Sequence, residues 1–241
     1  MGKLNLLKTL VAAIGLTATA TQASLLTNSS FEEDASGYTE LFADSTGNNS
    51  WAVYDGLNGW TAGAAGVELQ QSGLQGNMNA FDGNTYVELD THFDYDAPTD
   101  SNSSIYQTLS GLTVGAEYEL SFAYASRTDL ADDNGIEVFW SDAVATLFDN
   151  SILSIDYTVD NLLNWTMITT TLVASSEDMT LGFKAFGDTS WTFDGKTNPD
   201  SNGKGGFLDA VSVTAVDVPE PASLGIIALG LLGMGALRRR A

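Results

Sequence analysis

His92 is the only histidine of the chain, and cysteine is absent. The residue types that most often serve as nucleophile, general base or soft metal ligand are therefore nearly missing. A Ser-His-Asp triad would have to use His92, which sits in THFDYD, where a solvated loop residue or a carboxylate partner is the plainer reading. Neither a G-x-S-x-G elbow nor an H-E-x-x-H zinc motif occurs. Carboxylates abound, but the acidic stretches FDYDAPTD (93–100) and DLADDNG (129–135) do not space their oxygens as a calcium-binding EF-hand loop does. Two carboxylates about 5–10 Å apart suffice for glycoside hydrolysis, yet nothing in the sequence singles out a pair. Binding chemistry has better candidates. A sugar ring stacks on an aromatic face while Asp, Asn, Gln or Arg reads its hydroxyls. Trp51, Tyr54, Trp60, Tyr95 and Trp191 fall in segments read as loops, and Arg127 is the one arginine outside the C-terminal end. Trp51 and Trp191 are the preferred exposed aromatics and Arg127 the preferred polar reader. Against these stand packing in the core for the aromatics and an ordinary ion pair with a neighbouring carboxylate for Arg127.

Strands must position these groups. Runs of period two, rich in β-branched and aromatic residues, recur as GVELQQ (66–71), NTYVELD (84–90), SSIYQTLS (103–110), AEYELSFAYAS (116–126), GIEVFWS (135–141), NWTMITTTLVA (164–174), DMTLGFKAFG (178–187) and GGFLDAVSVTAV (205–216). In the fourth, Tyr118, Leu120, Phe122 and Tyr124 share one face and Glu119, Ser121 and Ala123 the other. No comparable stretch between residues 24 and 217 has helical periodicity, and no repeat of fixed period appears. Eight or more short strands with polar turns predict an all-β, antiparallel jelly-roll β-sandwich. Three longer loops, 34–50, 91–102 and 187–205, are expected at its ends or rims, where ligands are usually met.

The two ends differ from the middle. Lys3 and Lys8, an apolar run from Leu10 to Leu16 and then small residues with Thr21 and Ala23 make residues 1–23 a secretory signal helix. Residues 24–217 form the sandwich domain, and 218–241 a separate hydrophobic segment. Of nine cations, Lys3, Lys8, Arg238, Arg239 and Arg240 lie in the ends, whereas of 31 acids only Glu220 does. Four cations against thirty acids in the middle create a field that repels phosphate backbones, so nucleic acid is no partner. The same field favours solubility and attracts divalent cations. Without disulfides, stability rests on the core and on any bound metal.

The ordered set LLTNSSFEE, GW at 59–60, DGNTYVELD, IYQTLSGLTVGAEYELSFAYASR, NWTMITTTLVAS, MTLGFKAFG and GGFLDAVSV resembles the galactose-binding-domain-like sandwich used by many carbohydrate-binding modules. The resemblance implies a noncatalytic exported protein, a glycan ligand, and a structural Ca²⁺ held by Glu32 in NSSFEE and Asp209 in GGFLDAVSV. Two carboxylates with backbone carbonyls would supply much of the six-to-eight-oxygen shell that Ca²⁺ takes. The alternatives are a solvated strand end for Glu32 and a capped turn partner for Asp209. The tail resembles the PEP-CTERM sorting signal of exopolysaccharide-producing Gram-negative bacteria: Val218-Pro219-Glu220-Pro221, an apolar stretch, then Arg238-Arg239-Arg240. That resemblance implies export across the inner membrane, handling by an exosortase-type membrane protease, and release or transfer at the surface or into the polysaccharide matrix. Ala222 to Leu237 would make a helix of about 24 Å, short against roughly 30 Å of hydrocarbon. The terminal arginines favour the cytoplasmic side. Pro219 and Pro221 keep the motif extended and accessible to an enzyme. A permanent single-span anchor is the alternative for unprocessed molecules. The competing functional classes are an acidic structural matrix protein without a saccharide pocket and a secreted glycoside hydrolase.

Overall fold

The computed structural model describes residues 23–33, 51–75, 78–90, 102–187, 191–193, 196–198 and 203–216. Residues 1–22 of the signal segment, the loops 34–50 and 91–101, His92, Tyr95 and the whole C-terminal tail from residue 217 lie outside them. The tail includes Val218, Pro219, Glu220, Pro221 and the three arginines.

The fold is all-β. Its strands are β1 (Trp51–Tyr54), β2 (Gly56–Leu57), β3 (Trp60–Ala62), β4 (Val67–Gln71), β5 (Thr85–Glu88), β6 (Ser104–Leu109), β7 (Glu117–Ala125) and β8 (Gly135–Ser141). They continue with β9 (Leu153–Ile155), β10 (Thr166–Val173), β11 (Met179–Phe186), β12 (Trp191–Phe193), β13 (Lys196–Asn198) and β14 (Phe207–Ala215), with a 3-10 turn at Val144–Asp149. Two six-stranded sheets form. The first runs β1-β4-β5-β14-β7-β10 and the second β2-β3-β6-β11-β8-β9, while β12 and β13 make a separate hairpin. The pairings between named strands are antiparallel. All eight runs read from the sequence are strands. The short ones, β1, β2, β3, β9, β12 and β13, arise in segments that alternation does not mark, because two to four residues are too few to show a period.

The core lies between the sheets. Tyr118, Leu120, Phe122 and Tyr124 face inward from β7, as expected, and meet Val87, Leu89, Ile105, Val138, Leu181, Phe183, Val211 and Val213. Phe122 and Phe183 stack edge-on with centroids 5.2 Å apart. Trp60 is core, as its packing alternative had it: it is buried, donates its indole N–H to the Asn28 carbonyl at 3.1 Å, and leans on Phe31 and Phe183.

Register decides what shares the opposite, outer face of the first sheet, since directly paired residues point the same way. One row is Trp51, Gln70 and Tyr86; the next is Val53, Glu68, Glu88, Phe207 and Ala125. The two ends of this sheet differ. Ala215 pairs with Tyr118 and the Val216 N–H bonds to the Glu117 carbonyl, so the chain leaves for its tail where β7 begins. Arg127 and the loop after it lie where β7 ends, about 26 Å away at 3.3 Å per residue.

Candidate functional site

Alternation in VELQQ and TYVE turns Val67, Leu69 and Val87 to the core and Glu68, Gln70, Tyr86 and Glu88 outward. An outward acid is ordinarily solvated. Here the 203–206 segment closes over the strands, and Glu68, Gln70, Glu88 and Asp90 are all buried. Arg127 Nη1 donates to both Glu88 oxygens at 2.7 and 2.8 Å and to the Gly203 carbonyl at 3.1 Å. Gly205 N–H donates to Glu88 Oε1 at 2.8 Å, and Lys204 N–H to Asp90 Oδ2 at 3.1 Å. Gln70 Nε2 donates to Glu68 Oε1 at 2.8 Å and also to Glu88 Oε2. A Cβ on Gly205 would stand 2.8 Å from the Asp90 backbone nitrogen, so only glycine lets the segment lie this close.

One guanidinium thus faces two paired glutamates, with Asp90 adding negative charge nearby. Burial pushes Glu88 well above the usual carboxylate range, and the Glu68 charge adds to that rise while Arg127 opposes it. Burial also raises Glu68, against hydrogen bonds from Gln70 and Glu88 and the field of Arg127. The pair therefore keeps a proton to higher pH than free glutamates do, which brings the cluster nearer to neutrality. Gln70 Oε1 and the Tyr86 hydroxyl are buried with no hydrogen-bond partner among the described residues.

The cluster braces loop stems. Asp90 bridges to Asn102 across the base of the 91–101 segment, and Asn102 Nδ2 donates to the Gly187 carbonyl at 3.3 Å. Gly187, Gly203 and Arg127 are where two further loops leave the sandwich. The loop after Arg127 is clasped by buried Asn134, whose Oδ1 accepts the N–H groups of Arg127 and Thr128, both at 2.9 Å. Two of the three long loops expected to carry ligand chemistry therefore rise from this end, together with the 127–134 loop.

Of the expected site residues, Arg127 is at the centre of the cluster, in the ion pair its plainer alternative predicts. Trp51 is exposed on the edge strand β1, directly paired with Gln70 on the same face. Trp191 pairs with Asn198 in the small hairpin between Gly187 and Gly203. Glu32 and Asp209 do converge, on one turn. Glu32 Oε1 accepts the N–H groups of Asn84 and Thr85 at 2.8 and 2.6 Å and the Thr85 hydroxyl at 2.7 Å. Asp209 Oδ2 accepts those of Phe81 and Asp82 at 2.7 and 3.0 Å, and its Oδ1 that of Ala210 at 2.6 Å. Gly83, at φ +72°, sits against the Glu32 carboxyl where a Cβ would clash. Among the described residues no group of three or more His, Cys, Asp or Glu side chains is arranged to hold a metal ion.

Nothing in the sequence singles out Glu68, Gln70 and Glu88 as site residues. Their only signal is that the strands VELQQ and TYVELD each carry acid on one alternating face, while the middle of the chain has a single arginine to answer them.

A family model described as the PEP-CTERM protein-sorting motif matches residues 217–240, so the chain carries the sorting signal of an exported, surface-sorted protein on a β-sandwich. Two curated relatives are multifunctional-autoprocessing repeats-in-toxin proteins, from Vibrio vulnificus and Vibrio cholerae. They are 37% and 34% identical over 90 residues, 37% of this chain. The matched stretch spans 2% of the length of either toxin. Similar solved structures include TmCBM61 in complex with β-1,4-galactotriose, at TM-score 0.43 and 15% identity, covering 81% of this chain and 100% of that one. The K1 cleaved adhesin domain of Lys-gingipain from Porphyromonas gingivalis W83 gives TM-score 0.42 and 15% identity over 71% of this chain and 100% of that one. A family 35 carbohydrate binding module from Clostridium thermocellum gives 0.39 and 13%, over 69% and 99%. Among the described residues, no helix is long and apolar enough to cross a membrane.

Proposed function

We propose that this protein is a noncatalytic glycan-binding module of the extracellular polysaccharide matrix of a Gram-negative bacterium. On this reading an exosortase-type membrane protease handles the tail, which holds the protein in the membrane until it is processed. The observation that carries the binding role is the braced corner: loop stems tied through Arg127, Glu88, Asn102 and Gly187, at the end of the sandwich opposite Val216. Rigid stems with variable loops are the usual way a β-sandwich presents a binding surface. Trp51 supplies an exposed indole beside the polar face. Support for a noncatalytic role comes from Glu88, which is fully buried and already accepts from Arg127, Gly205 and Gln70, leaving it poorly placed to act as nucleophile or acid.

A glycan array probed with the purified protein tests this reading. Trp51→Ala and Trp191→Ala are expected to weaken saturable binding by about tenfold or more, the loss of one stacked aromatic side chain. Absence of binding to every glycan would favour the acidic structural role, and polysaccharide turnover would favour a hydrolase. The calcium role of Glu32 and Asp209 belongs to the same proposal. Millimolar Ca²⁺ is expected to raise the melting temperature of the wild type, as any ligand selective for the native state does, and to leave Asp209→Asn unmoved. Coincident wild-type curves with and without Ca²⁺ remove it.

A further inference from the structure

Beside the braced corner, the turn 158–163 presents large aliphatic side chains to solvent. Val159 is 80% exposed, Leu162 37% and Leu163 38%, and Leu130 on the neighbouring loop is 48% exposed. The turn is built to do this. Buried Asn161 takes the Thr158 N–H on its Oδ1 at 2.8 Å, also meets the Ser126 hydroxyl there at 3.0 Å, and donates Nδ2 to the Asp156 carbonyl at 3.1 Å. Ser126 N–H bonds to the Asn161 carbonyl and Leu163 N–H to the Ser126 carbonyl. Leu163 is held at φ +46°, a region that a branched side chain seldom occupies. The neighbouring loop is fastened to the same unit by Asp132 N–H on Asp156 Oδ2 at 2.7 Å.

The patch has a charged surround. Segments 127–134 and 156–164 carry Asp129, Asp132 and Asp160, all exposed, together with half-buried Asp156 and buried Asp133. Their single cation, Arg127, is committed to Glu88. Aliphatic side chains held out to solvent on segments that also carry exposed aspartates combine the two ingredients of a protein-binding surface, apolar contact and charge. A second copy would set these aspartates against their equals, and an anionic lipid surface would be repelled.

We infer that Val159, Leu162, Leu163 and Leu130 form a docking surface for a basic amphipathic protein segment. Its apolar side chains would cover the aliphatic cluster, and its lysines or arginines would meet Asp129, Asp132 and Asp160. This surface shares the 127–134 loop with the braced corner, but the inference does not rest on the glycan reading.

The test uses protein released from the cell surface without detergent and two synthetic peptides of equal length and charge. One alternates leucine pairs with lysines at helical spacing; in the other, serine replaces every leucine. Fluorescence anisotropy is expected to show binding of the leucine peptide well above that of the serine peptide. The double variant Val159→Ser/Leu162→Ser is expected to weaken it by about tenfold or more, the loss of two apolar contacts. Val114→Ser, at the opposite end of β7 and 58% exposed, is expected to bind as the wild type does. An unchanged melting temperature in the double variant shows that it is folded. Equal binding of both peptides overturns the proposal in favour of charge alone, as does wild-type binding by the double variant. Self-association that the double variant loses makes a second copy the occupant. Binding to phosphatidylcholine vesicles in place of the peptide makes it a lipid surface.

Discussion

Arg127→Met is expected to destabilise the sandwich by about 3–5 kcal/mol, the cost of leaving a buried carboxylate without its partner. Glu88 would keep only the Gly205 N–H and the Gln70 amide among its present donors, with Glu68 still beside it. For a chain of this size that corresponds to a fall in Tm of roughly 10 °C or more. Part of the loss is relieved by protonating Glu88, so the variant should lose less stability at pH 5 than at pH 8. The double variant Arg127→Met/Glu88→Leu is expected to recover most of the stability, because it removes the orphaned charge as well. It should not recover glycan binding, since the Gly203 carbonyl and Gly205 N–H that held the loop stem would both lack their partner. A single Arg127 variant melting within about one degree of wild type, well inside the shift expected per kcal/mol, would show that the cluster is not the brace described.

The second large effect is with pH. Burial raises the Asp209 carboxyl from 3.8 to about 7, against the pull of the N–H groups of Asp82, Ala210 and Phe81. Glu68 and Glu88 are raised too, both chiefly by burial. An acid whose folded pKa lies above its unfolded one binds its proton more tightly in the folded state. Its contribution is complete below the unfolded value and is lost as pH rises through the folded one. Stability should therefore fall from about pH 4 to somewhat above pH 7, and not rise as it does for proteins held by ionised carboxylates. Each tenfold gain in proton affinity on folding is worth about 1.4 kcal/mol, so Asp209 alone contributes on the order of 4 kcal/mol across that window. Denaturant unfolding at pH 5 and pH 8 in EDTA, where no Ca²⁺ can hold the carboxylate ionised, measures it. Asp209→Asn should lie lower at pH 5 and flatten the slope, and a wild-type curve that is level or rising between the two would contradict the assignment.

The strands were legible because burial on one face imposes a period of two, and all eight long runs carry it. The site was only partly legible. Glu68 and Glu88 look like solvated positions in VELQQ and TYVE, since a one-dimensional pattern distinguishes the two faces of a strand and not what later covers the outer one. The covering segment, Gly203 to Gly206, lies more than a hundred residues from Glu88. Glu32 and Asp209 were singled out through resemblance, and the structure does bring them to one place. Their visible partners are the backbone amides of the 81–85 turn, a relation that no spacing between positions 32, 81 and 209 could display.

By itself, then, the sequence determined the all-β class, the alternation that builds the core, the acidic field, and a tail that matches a sorting motif. Each is a local or additive property, readable from short windows or from counting charges. Only the tertiary structure decided that Arg127 answers Glu88, that the loop stems meet at the end away from Val216, and that Asn161 holds three aliphatic side chains out to water. These depend on contacts between distant segments, and they follow from which strands pair and which loops the sheets leave room to close over.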